Sequence, residues 1–241
     1  MKKIILSSSL IGVFALSAFA QNSQITWSSV QNISGDSDIS TMGTLFGTWS
    51  PYLANTGGGP ITAGGVTFVA NDLPGFSIPS YFTGQYTGFG NPGTADANYN
   101  TLLQGAQFSN NGTGGTFSWG GLNPGDTYQV EIWVEDTRNI GNRRWENVYE
   151  NSYGDAGTSA ALTFPADGTA VGQYDTGTFV ANSAGTETLN FETWCSVSGN
   201  QCAQVNLFQV RDLTTPVPEP STLALMAGSG AMMLLRLRRR S

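Results

Sequence analysis

The stretch "GLNPGDTYQVEIWVED", residues 121–136, decides the fold class. In its first half Pro124 fixes one φ and Gly125 accepts a positive one, the combination a type II turn needs. In its second half Tyr128, Val130, Ile132 and Val134 alternate with Gln129, Glu131, Trp133 and Glu135. A period of two marks an extended strand that turns its first set of residues into a core and leaves the second set, Trp133 included, on the outer face. The turn is expected to join a strand at 115–121 to the strand at 127–136 as a hairpin.

Working outward, similar runs occur at 24–30, 65–71, 159–166, 174–181, 186–194 and 204–212, separated by clusters of Gly, Ser, Asn and Asp. No helical period is evident in the body. This pattern predicts an all-β chain, an antiparallel β-sandwich of two packed sheets, with a jelly roll as the expected form. The "GLNPGDTYQVEIWVED" hairpin and the closing pair "TLNFETW" and "QVNLFQVRD" resemble those of galactose-binding-like sandwiches of bacterial surface and carbohydrate-binding proteins. That resemblance implies a carbohydrate-associated role for residues 21–214, read as one domain with room for a substantial core.

Both ends read as targeting segments. Residues 1–20, "MKKIILSSSLIGVFALSAFA", combine two lysines, an apolar stretch and Ala18-Phe19-Ala20, the layout of a secretory signal peptide cut after Ala20 by signal peptidase. Residues 215–241 hold Pro218-Glu219-Pro220, an uncharged span over 221–235, and Arg236, Arg238, Arg239 and Arg240. The span is short against the roughly 20 residues needed to cross a bilayer, so it makes a marginal transmembrane helix. The arginines should remain cytoplasmic and act as a membrane stop. Motif, span and basic end in this order resemble the PEP-CTERM sorting signal of Gram-negative bacteria. The resemblance implies an exosortase as processing partner, transient residence in the inner membrane, and delivery to the cell surface or an exopolysaccharide matrix.

Charge narrows the function classes. The body has no histidine and no lysine, and its basic residues are Arg138, Arg143, Arg144 and Arg211 against sixteen acids, a formal net charge near −12. Such a body is not expected to bind nucleic acid. It also lacks the residues for Ser-His-Asp, Cys-His, Ser-Lys or Schiff-base chemistry. Paired carboxylates are a chemical option for glycoside hydrolysis, but no local motif selects a pair. No enzyme activity is expected.

One segment departs from the composition of the rest. Residues 133–155 hold Trp133, Asp136, Arg138, Arg143, Arg144, Trp145, Tyr149 and Tyr153, and read as a long loop after a strand. Aromatic faces stack on the C–H side of sugar rings while guanidinium and carboxylate groups meet hydroxyls, so Trp133, Asp136, Arg138, Arg143, Arg144 and Trp145 form a candidate ligand site. The alternative is that pairs such as Arg138 with Asp136, or Arg144 with Glu146, only pin the loop. Cys195 and Cys202 are the only cysteines, and in an exported chain they are expected to form a disulfide clamping a hairpin. No cofactor is expected; Asp36 and Asp38 offer oxygens that suit calcium, with a polar turn as the other reading. Two functions follow: a matrix protein that binds or embeds in polysaccharide, or a structural surface module with no specific ligand.

Overall fold

The computed structural model describes residues 24–78, 82, 84–109, 114–138, 144–164, 171–195 and 203–214. The signal peptide and the sorting tail expected at the two ends lie outside these residues. In chain order the elements are β1 (Thr26–Trp27), β2 (Gln31–Asn32), β3 (Thr44–Trp49), α1 (Pro51–Thr56), β4 (Ile61–Ala63), β5 (Val66–Phe68), β6 (Gly84–Tyr86) and α2 (Ala97–Leu103). They continue with β7 (Ala106–Phe108), β8 (Gly115–Trp119), β9 (Thr127–Val134), β10 (Arg144–Tyr149), β11 (Leu162–Thr163), β12 (Gln173–Val180), β13 (Glu187–Cys195), β14 (Gln204–Val205) and β15 (Leu207–Asp212).

Two main antiparallel sheets result. One runs β1-β12-β9-β15-β3, with β2 also paired to β12, and the other runs β11-β10-β13-β8. Between them lies the main core, where Tyr128, Val130, Ile132 and Val134 of β9 meet Phe117 and Trp119 of β8, Val148 of β10, and Leu189 and Phe191 of β13. Phe117 sits at its centre, with ring centroids 4.9 Å from Phe208 and 5.3 Å from Trp49. The inward set expected for the 127–136 strand is therefore the observed one.

The turn before β9 has its expected conformation and a different job. Gly125 takes φ 88°, and the Asp126 amide donates to the Asn123 carbonyl at 3.1 Å. Yet β8 pairs with β13 while β9 pairs with β12 and β15, so the segment crosses from sheet to sheet and makes no hairpin. Type II turns splay strands against the sheet twist, and hairpins favour the mirror-image types. The Pro-Gly pair thus suits a crossing of the roughly 10 Å between sheets better than a ladder.

A second layer corrects the reading of Trp133. The residue does point away from the main core, but Phe68, Leu53, Tyr99, Leu102, Leu103 and Leu207 close over it, and it is fully buried. Its ring stacks on Tyr174 at 6.2 Å and meets Phe68 edge-on at 6.4 Å. The covering layer contains two short helices, which a search for helical period does not find at six and seven residues. Their local signals are present all the same. Ser50 caps α1 by accepting the Leu53 amide, Pro51 occupies the first turn, and Gly57 ends it at φ 66°.

The closing segment 204–212 is likewise not one strand. Asn206 is fully buried at a bend, where its side chain accepts the Glu135 amide and donates to the Leu103 carbonyl. Before it β14 pairs with β7, and after it β15 pairs with β9 and β3. Because β13 and β15 belong to different sheets, the Cys195–Cys202 stretch links sheets and closes no hairpin. Cys202 and the Cys195 side chain lie outside the described residues, and so does the expected disulfide.

Candidate functional site

The 133–155 segment contains a strand where a long loop was expected, because Arg144–Tyr149 pairs with both β13 and β11. Its alternation is the cause. Arg144, Glu146 and Val148 are buried, whereas Trp145, Asn147 and Tyr149 are half-buried on the outer face.

The charged members of the candidate ligand site pin this region from within. Asp136, only 1% exposed, accepts from Arg138 Nε at 2.7 Å and Nη2 at 2.6 Å, and from Arg144 Nη1 at 3.3 Å. Arg138 also lies over the Phe89 ring, 4.2 Å from its centroid, so one guanidinium is held by a carboxylate and an aromatic face. Its protonated form is favoured: burial alone would lower the pKa, but Asp136 raises it by more. Arg144 is buried and pairs with Asp136, not with Glu146. Glu146 accepts the Gln204 amide at 2.8 Å instead. The pinning alternative thus describes Asp136, Arg138 and Arg144, and Trp133 is sealed beneath the second layer. Arg143 lies outside the described residues.

Trp145 is left on a surface. It and Tyr149 stand on the same face of β10, four residues and about 13 Å apart along the strand. Backbone register sets Asn147 opposite Glu192 and Tyr149 opposite Asn190, with Thr116 opposite Asn190 on the far side. All five of these neighbours are half-buried. Thr116 donates to Asn190 Oδ1 at 2.9 Å, and Asn190 donates to the Glu150 carbonyl at 2.7 Å. Tyr149 meets the exposed Tyr153 edge-on at 6.0 Å. Burial, and then the charge of Glu192, raise the Tyr149 pKa, so its hydroxyl remains a donor at neutral pH. The result is a strip of two half-buried aromatic residues with amides, hydroxyls and one carboxylate between and beside them. Sequence reasoning singled out Trp145 and missed Asn147, Tyr149, Asn190, Glu192 and Thr116 as a group. The alternation of "RWENVY" was the signal that places them together.

Several acids are buried, and among the described residues none of them forms a salt bridge. Burial pushes Glu131 up to about 7, and Glu135 and Glu187 up to about 8. It raises Asp175 to about 6 and lifts Glu146 well above the usual range. These groups sit in the interior, away from the β10 face. Asp36 and Asp38 form a 3-10 turn in which both carboxylates serve the backbone: Asp36 accepts the Gly64 amide at 3.0 Å and Asp38 the Ser34 amide at 2.7 Å. Among the described residues no group of three or more His, Cys, Asp or Glu converges on a point where a metal ion would sit. Among them, too, no helix is long and apolar enough to cross a membrane.

No family model matches the chain. No curated protein matches it either. Among solved structures the chain is similar to the CBM22-1 xylan-binding domain from Paenibacillus barcinonensis Xyn10C, at 10% identity and a TM-score of 0.38, over 73% of this chain and 99% of that one. It is also similar to the C-terminal CBM6 of LamC, a marine laminarinase from Zobellia galactanivorans, at 19% identity and a TM-score of 0.23, over 44% of this chain and 79% of that one. At such scores neither likeness bears on function. The fold is mostly β, and its sandwich character rests on the two packed sheets themselves.

Proposed function

We propose that this chain is an exported, non-catalytic protein of the bacterial cell envelope or extracellular matrix, and that it holds polysaccharide on the outer face of its four-stranded sheet. In this reading the sandwich is of the jelly-roll, galactose-binding-like kind. The observation that carries it is the pairing of Trp145 and Tyr149 on one face with Asn147, Asn190 and Glu192 around them. Half-exposed aromatic rings on a sheet face offer stacking surfaces to sugar rings, and the polar groups between them suit hydroxyls. A panel of soluble polysaccharides run in affinity gels against residues 21–214 tests it. Trp145→Ala with Tyr149→Ala is expected to weaken binding at least tenfold without loss of fold, since both rings are half-exposed. Unchanged retention of the double variant would move the site elsewhere.

Export and sorting are supported by the sequence of the two ends. The Pro218-Glu219-Pro220 elbow, the span 221–235 and the four arginines fit a chain that pauses in the inner membrane and is then cut by an exosortase. Secreted protein is expected to lack residues beyond about 220, and replacing Pro218, Glu219 and Pro220 by alanine is expected to retain it in membranes. Intact-mass measurement decides, because an extracellular form that keeps the arginine tail sinks the proposal. The second reading, a coat module with no ligand, draws on one feature: the Asn147 and Asn190 amides already donate to the Ser159 and Glu150 carbonyls.

A further inference from the structure

The described arginines are all engaged by groups of the fold. Arg138 is committed to Asp136 and the Phe89 ring, and Arg144 is buried against the same Asp136. Arg211, 6% exposed, donates from Nε to the Met42 carbonyl at 2.5 Å and from Nη2 to the Thr41 and Gly43 carbonyls at 3.2 and 3.1 Å. The body carries no lysine and no histidine, and its fourth arginine, Arg143, lies outside the described residues. Among the described residues the β10 face has Glu192 as its charged group, set directly across from Asn147. Polysaccharides that carry uronate, sulfate or phosphate are recognised through cations, with Arg as the bidentate partner of choice.

We infer that the ligand of the β10 face is an uncharged polysaccharide, stacked on Trp145 and Tyr149 and excluded in its anionic forms by the Glu192 carboxylate, beside which no described residue offers a free cation. This inference rests on the binding role proposed for that face. The groups there fit neutral hydroxyls: Asn147 and Asn190 each have a second amide N–H beyond the one given to the Ser159 or Glu150 carbonyl, Thr116 Oγ1 can accept while it donates to Asn190, and Glu192 offers a carboxylate able to accept two hydroxyl donors. For an anionic chain the same carboxylate is repulsive, and a like charge across an interface disfavours the wrong partner.

Hydroxyethyl cellulose and carboxymethyl cellulose share a backbone and differ in charge, so affinity gels containing each in turn, with residues 21–214 as the mobile species, read the inference directly. Retention is expected to be at least tenfold stronger in the neutral gel at low salt. The difference should shrink as salt screens Glu192 and the acidic body. Glu192→Lys is expected to bring retention by the carboxymethyl form. Equal or stronger binding of wild type to carboxymethyl cellulose, or binding that disappears with a calcium chelator, overturns the inference and leaves the binding role standing. Absence of retention by every polysaccharide, neutral or anionic, overturns the binding role and the inference with it.

Discussion

Asp136→Ala is expected to cost about 3–5 kcal/mol of folding stability, the range for removing one partner of a buried ion pair. Asp136 is 1% exposed and serves two guanidinium groups, one on its own strand end and one on β10 in the opposite sheet. Removing it leaves Arg144, itself 6% exposed, charged and with no other carboxylate at ion-pair distance among the described residues. Arg138 would lose three hydrogen bonds, one of them from its backbone amide, but retain access to water and its place on Phe89, so Arg138→Ala is expected to cost only about 1 kcal/mol, in keeping with a partly exposed pair. In thermal unfolding the Asp136 variant should melt about 10 °C lower, at about 2–4 °C per kcal/mol for a domain of this size. Equal effects of the two substitutions would show that Asp136 does not tie the sheets together. Polysaccharide binding by folded protein is expected to survive both changes, because neither residue reaches the β10 face.

The strands were legible where alternation was long. The 127–136 run showed both its length and its inward face, since its apolar side chains have one core to enter. What lies over its other face was not legible, because Glu131 and Trp133 are covered by residues some thirty to ninety positions earlier, such as Ser40, Phe68 and Tyr99. Period-two patterns report only which side of a strand a residue takes, not whether a second layer arrives there. The helices were missed for want of length, although Ser50, Pro51 and Gly57 marked one of them fully. At the candidate site, Trp145 was legible as an aromatic residue in an unusual setting. Its neighbours Asn190, Glu192 and Thr116 come from strands more than forty residues later or nearly thirty earlier, and only sheet register brings them together.

Stability is expected to fall as pH rises from about 5 to about 8, opposite to the trend of a protein stabilised by ionised carboxylates. Glu131, Glu135, Glu146, Asp175 and Glu187 are each at most 4% exposed. Desolvation is the first cause of every one of their raised pKa values, outweighing the hydrogen bonds that favour the anion, such as that from Gln209 to Glu131 and that from Thr188 to Glu187. One oxygen of each of Glu131, Glu135, Glu146 and Asp175 has no hydrogen-bond partner among the described residues, which a neutral acid tolerates better than a carboxylate. Below the unfolded-chain value, near 4.5 for Glu, both states are protonated and the fold keeps its full stability. As pH climbs, the unfolded chain releases protons that the folded chain still holds, so unfolding is favoured until the folded-state value near 8 is passed. One group of this kind contributes a loss on the order of 3 kcal/mol between about pH 5 and pH 8. The groups do not add simply, so a total fall of at least about 3 kcal/mol, or roughly 6–12 °C in melting temperature, is the expected result. Glu146→Gln should flatten the profile and raise the melting temperature at pH 8, since the amide carries no charge to desolvate. Urea or thermal unfolding at pH 5, 6.5 and 8 measures the slope, and a midpoint that is constant or rises over this interval would mean that these interior acids ionise freely in the fold.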